Sequence, residues 1–208
     1  MNVRLVVVGV LAAAAGSAVG EIIDLGGGWQ AETFGDNVSL ESFGVKDGVL
    51  TIEKFATFTD IDEFTGEPVP ITINFKQIAA DDETAATIII AAEELTNMTG
   101  LDWIDFEFIL VDSGNATWDQ AGMAGLDISP FVSDEFLEGD TVYRTFDGLV
   151  ADGSTWTPGA AAGEFVINVD LSGDDPLNFS LKESPSVPAP GALGLLALGG
   201  VAAIRRRR

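Results

Sequence analysis

The chain contains no cysteine and no histidine among its 208 residues. Without cysteine there is no disulfide, no thiolate nucleophile and no cysteine-based metal site. Without histidine there is no Ser-His-Asp triad, and the usual imidazole ligands of zinc are missing. Basic residues are scarce as well: ten Lys and Arg stand against 33 Asp and Glu. Arg4, Arg205, Arg206, Arg207 and Arg208 lie in the terminal segments, while no acid precedes Glu21 or follows Glu183. Residues 21–185 therefore hold five cations (Lys46, Lys54, Lys76, Arg144 and Lys182) against all 33 acids, a net charge of −28. Such a body repels nucleic acid and anionic headgroups, which excludes nucleic-acid binding and leaves metal cations or basic partners as counterions.

What the chain has in quantity is apolar. Hydrophobic residues make up 47% of it, with 13 Phe and 4 Trp, enough for a sizeable core and too apolar for a disordered chain. The apolar runs sit at both ends. Arg4 precedes the run Leu5–Ala15 and then Ala18-Val19-Gly20, the order of a secretory signal peptide cleaved after Ala18 or Gly20. That run is too short to span a bilayer well. Residues 1–20 are thus expected to be removed on export, and a domain without disulfides must then be held by its core.

The other end has three parts. Val187-Pro188-Ala189-Pro190-Gly191 is followed by thirteen apolar residues, 192–204, and then by Arg205, Arg206, Arg207 and Arg208. The prolines stop any preceding strand. Thirteen residues make a helix of about 20 Å, short of the roughly 30 Å hydrocarbon core. The four arginines hold their end in the cytoplasm, which puts the acidic body outside. A marginal span of this kind suits a temporary anchor. In the order and spacing of its parts, 186–208 resembles the PEP-CTERM sorting signal of Gram-negative bacteria, here in a Pro-Ala-Pro variant with Ala189 in the place of Glu. The resemblance implies transient residence in the inner membrane and processing by an exosortase-type enzyme. It also implies a destination at the cell surface or in the exopolysaccharide matrix.

The body, 21–185, reads as all-β. Ile71, Ile73 and Phe75 alternate with polar residues, as do Ile104, Phe106, Phe108 and Leu110, then Phe165, Ile167, Val169 and Leu171, then Leu177, Phe179 and Leu181. Period two over such lengths marks strands with one face on a core. Further strands are expected at 29–34, 38–45, 49–58, 86–94 and 141–146, and 120–140 reads as a long excursion or one short helix. Asp47-Gly48 between two apolar runs is the best hairpin signal. Eight to ten strands with Gly/Asp turns predict a β-sandwich, jelly-roll or immunoglobulin-like. The run Asn97–Phe108 is similar to a strand-turn-strand element of such sorted ectodomains, and it brings no assigned activity. Its Asn-x-Thr-Gly is expected to turn tightly, with Trp103 starting on the face opposite the aromatic row.

Two groups of residues are candidates for binding. Asp60, Asp62, Glu63 and Glu67 put four carboxylates in eight residues at a turn, hard oxygen ligands of the kind calcium takes, though without the EF-hand spacing. Asp112 with Asn115, and Asp170 with Asp174 and Asp175, are weaker candidates of the same kind. Trp118 and Trp156, in Gly/Asp/Thr-rich turn regions, are the candidates for stacking on sugar rings. Paired carboxylates can serve a glycosidase, but among 33 acids close pairs arise by chance. The sequence thus favours a non-catalytic exported protein of the surface or matrix, with no cofactor apart from the calcium candidate. The alternative is a carbohydrate-binding module, with or without calcium, and a secreted glycosidase comes third.

Overall fold

The structure is a computed structural model of the whole chain, and it describes residues 20–34, 37–79, 84–112, 114–172 and 176–188. Residues 1–19, all but the last residue of the expected signal peptide, and the tail from Ala189 onward, including Pro190, Gly191 and the four terminal arginines, lie outside the described residues. The described chain forms thirteen strands and no helix. They are β1 (Glu21–Gly26), β2 (Trp29–Thr33), β3 (Val38–Lys46), β4 (Val49–Phe58), β5 (Ile71–Gln77), β6 (Thr87–Asn97) and β7 (Asp105–Val111). The second half adds β8 (Ala116–Trp118), β9 (Ser133–Leu137), β10 (Val142–Phe146), β11 (Thr155–Trp156), β12 (Phe165–Val169) and β13 (Asn178–Ser186). One sheet runs β1-β2-β5-β13-β7-β10-β9; the other runs β3-β4-β6-β12-β8, with β11 also on β6. The two sheets share one apolar core, a β-sandwich.

Alternation explains the inward faces. In β4, Leu50, Ile52, Ala56 and Phe58 are buried while their odd-numbered neighbours are half-buried. In β13, Phe179 and Leu181 do the same. At the β3–β4 hairpin, Asp47 and Gly48 both have positive φ, at 54° and 78°, as a two-residue primed turn requires. Pro185 is tolerated inside β13 because β5 stops pairing at Glu183, leaving only β7 alongside. The folded unit continues past the expected boundary at 185, since Val187 is buried and donates its N–H to Glu67 Oε2 at 3.2 Å.

Three points narrow or correct the expectations. Of the two readings of 120–140 the long excursion holds and the short helix does not: turns based on Asp119, whose Oδ1 accepts the N–H groups of Ala121 and Gly122, lead into β9, which the sequence did not signal. Nor does β7 begin at Ile104. That residue is exposed, while Trp103, expected opposite the core, is fully buried against Phe58 and Phe106. A bridge from Trp103 to Val150 replaces strand pairing there, so the alternation does not reach back to it. Finally, β1, β8 and β11 are short or flanked by glycine, and they raise the strand count above the eight to ten expected.

Candidate functional site

One departure from the apolar pattern sits in the middle of the sandwich. The inward row of β4 is Leu50, Ile52, Lys54, Ala56 and Phe58, and the Lys54 side chain is completely buried. One of the five cations of the body is therefore spent inside the core. Glu183 occupies the next inward place after Phe179 and Leu181 on β13, and it too is fully buried. Glu93 arrives by a different route. The parallel pairing of β4 with β6 slips by one residue between Ile52 and Glu53, so that Ile52 faces Ile90 but Glu53 faces Ala92. This bulge switches the inward parity of β6 from Ile88 and Ile90 to Glu93, Leu95 and Asn97.

The three groups meet across the two sheets. Lys54 Nζ donates to Glu183 Oε2 at 2.8 Å and lies 2.6 Å from Glu93 Oε1. Burial pushes the Glu93 carboxyl well above the ordinary carboxylate range; Lys54 opposes that shift, and the charge of Glu183 adds to it. Burial also raises Glu183, with Lys54 pulling against it. Burial disfavours the Lys54 ammonium, but the two carboxyls more than compensate and its pKa is raised. One cation between two carboxyls is neutral when one carboxyl keeps its proton, and at Glu93 both burial and the charge of Glu183 favour the protonated form. Two acids, one of them neutral, is also the equipment of a glycosidase. Here, however, no cleft leads to them, since all three side chains have zero exposure.

The sugar-stacking candidates do not reach solvent. Trp118 and Trp156 are each only 2% exposed. Trp156 packs edge-on against Phe106 and Phe131, and Trp118 packs on Phe108 and Phe165 while donating Nε1–H to the Phe108 carbonyl. Their turn-rich sequence surroundings suggested exposure, but both belong to strands, β8 and β11, that face the core.

Hydrogen bonds within the chain organise the acidic turn. Ile61 bridges Pro68, and Asp62 Oδ1 accepts the N–H groups of Phe64 and Thr65. Those bonds, Thr65 first, hold the Asp62 carboxyl below its ordinary pKa. Glu67 turns to the Val187 amide, and Asp60 contributes its backbone carbonyl to Val69. Asp60, Asp62, Glu63 and Glu67 thus do not converge. Among the described residues no group of three or more acids is arranged to hold a metal ion. Of the weaker candidates, Asp170 accepts from Ser172, while Asp174 and Asp175 lie outside the described residues.

A trough of mixed apolar and polar lining lies on the outer face of the seven-stranded sheet. It has a volume of about 340 Å³ and is lined by Ile22, Gln30, Glu32, Asn74, Lys76, Asn178 and Ser180 among others. Ser180 donates to Asn74 Oδ1 at 2.7 Å, and Asn74 reaches Glu32 at 3.5 Å. The aromatic residues of the same strands, Phe75 and Phe179, stack on each other beneath, in the core.

Sequence reasoning passed over Lys54, Glu93 and Glu183. The signal for two of them was present, a charged residue in phase with an apolar row, whereas the bulge that turns Glu93 inward left none. Comparison of this chain with family models, with curated proteins and with solved structures finds no match.

Proposed function

We propose that this is a non-catalytic exported protein, delivered to the cell surface or the exopolysaccharide matrix through its C-terminal tail. The observation that carries the reading is the order of parts in 187–208: proline-flanked motif, short apolar stretch, four arginines. It is supported by the placing of the motif's first residue: Val187 is buried and fastened to Glu67, so the packed domain reaches into the start of the motif. The tail would be held briefly in the inner membrane and cut by an exosortase-type enzyme. The net charge of −28 would keep the released domain soluble and open to cross-bridging by divalent cations.

Intact mass spectrometry of the protein from the producing cell's envelope and medium tests this. The expected species starts near Glu21 and ends between Pro188 and Gly191. A full-length C-terminus retained in the inner membrane would instead mean a permanent anchor, and the matrix destination would lose its support.

The trough favours carbohydrate binding as a second reading, now through amides and hydroxyls rather than tryptophan. Its amide and hydroxyl side chains, with Glu32, Lys76 and Asp112 beside them, can hydrogen-bond sugar hydroxyls. On this reading, saturable binding to the producer's own polysaccharide falls at least tenfold in Asn74→Ala with the fold intact. Binding unchanged by that substitution, or no binding, removes the trough from consideration.

A further inference from the structure

The Lys54–Glu93–Glu183 cluster has the parts for a covalent reaction within the chain. Lysine amines and carboxylic acids do not condense in water, where both stay ionised and water is in excess. In a sealed apolar core both obstacles weaken. Buried charges are costly, so converting an ammonium and a carboxylate into a neutral amide relieves their desolvation, and the released water leaves for bulk solvent. Orientation is already fixed: Lys54 Nζ donates to Glu183 Oε2 at 2.8 Å, with both side chains at zero exposure. The dimensions also fit. An amide joining the ends of a lysine and a glutamate spans about 10 Å between Cα atoms, the usual separation of two packed sheets.

We propose that Lys54 and Glu183 join in an intramolecular isopeptide bond between the two sheets, with Glu93 carrying the protons. The Lys54 ammonium first passes a proton along its hydrogen bond to the Glu183 carboxylate, leaving a free amine beside a neutral acid. The nitrogen lone pair then attacks Glu183 Cδ and forms the C–N bond. Glu93, 2.6 Å from Nζ, gives its proton to the departing oxygen and takes one from the nitrogen, ending as it began. The C–O bond breaks and one water leaves; nothing is oxidised and no co-reactant is consumed. The high pKa that burial gives Glu93 keeps it in the protonated form this role needs. The bond ties positions 129 residues apart, so it closes most of the domain into one covalent loop. It would serve a cysteine-free exported domain as a disulfide serves others.

Denaturing mass spectrometry of the full chain, followed by tryptic mapping, decides the matter. The expected protein is lighter than its sequence by one water. Trypsin fails to cut after Lys54, and the peptide carrying Lys54 is recovered joined to the one that starts at Glu183. Lys54→Met and Glu183→Ala restore the full mass, and Glu93→Gln lowers the joined fraction at a given time at least tenfold. Wild-type protein that unfolds cooperatively yet has the full mass and is cut after Lys54 overturns the proposal without reference to any variant. So does a water loss that maps elsewhere, for example to a succinimide at Asp47-Gly48.

Discussion

Where Lys54 and Glu183 have not been joined, replacing Lys54 by methionine is expected to cost about 3–5 kcal/mol of stability at neutral pH, the usual loss when one partner of a buried ion pair is removed. Methionine fills nearly the same volume, so the loss is electrostatic rather than a cavity. What remains is two fully buried carboxyls with no cation. Burial raises both already in the wild type, and Lys54 is the group that holds them down. Without it they rise further. The pH dependence then has a definite sign. A carboxyl raised in the folded state binds its proton more tightly there than in the unfolded chain. Its contribution is fully present below the ordinary value of 4.5 and is lost as pH rises towards the folded value. Lys54→Met should therefore be nearly as stable as the unjoined wild type near pH 4 and fall away steadily above it. Urea unfolding at a series of pH values measures this. Adding Glu93→Gln and Glu183→Gln should flatten the extra slope, because no carboxyl is left in the core. A variant whose loss is the same at pH 4 and pH 7 would mean that Lys54 contributes by packing alone.

The second large effect concerns Trp156. Its substitution by alanine is expected to lower stability by about 3–5 kcal/mol, as for other large-to-small changes in a closed core. The side chain is 2% exposed and touches Phe106, Phe108 and Phe131. Aromatic pairs of this geometry contribute about 0.5–1.5 kcal/mol each beyond burial of area. Its indole Nε1–H is among the buried polar atoms without a partner, so phenylalanine at this site should cost much less than alanine. Unfolding curves of the two variants check this. If Trp156→Ala unfolds like the wild type but loses glycan binding, the side chain must reach solvent, and its assignment to the core is wrong.

Much of the β-structure was legible because strand alternation is local. β2, β3, β4, β5 and β10 fall within a residue or so of where the sequence placed them, and β12 starts where expected but ends two residues early. The Asp47-Gly48 hairpin followed from backbone sterics at positive φ. Short strands such as β8 and β11 were missed because two or three residues carry no period. They are strands only because β12 and β6 offer them an edge. The tryptophans were misplaced for the same reason: composition around Trp118 and Trp156 says turn, while burial is decided by what lies across the core. The acidic turn shows a third limit, since counting carboxylates does not reveal that Asp62 and Glu67 are already engaged by backbone N–H groups.

By itself the sequence determined the all-β class, the strongly acidic body free of cysteine and histidine, and the inward phase of Lys54 and Glu183 within their own strands. Each of these depends on residues close together along the chain or on simple totals. Only the tertiary structure decided that Lys54, Glu93 and Glu183 form one sealed cluster. The bulge in β6 fixes which glutamate faces inward, and the packing of β13 opposite β4 brings Glu183 within 2.8 Å of a lysine 129 residues away. Period two tells a residue which side of its strand it is on. It says nothing about which strand will face it, because that choice belongs to hydrogen-bond register and sheet order, which distant segments settle together.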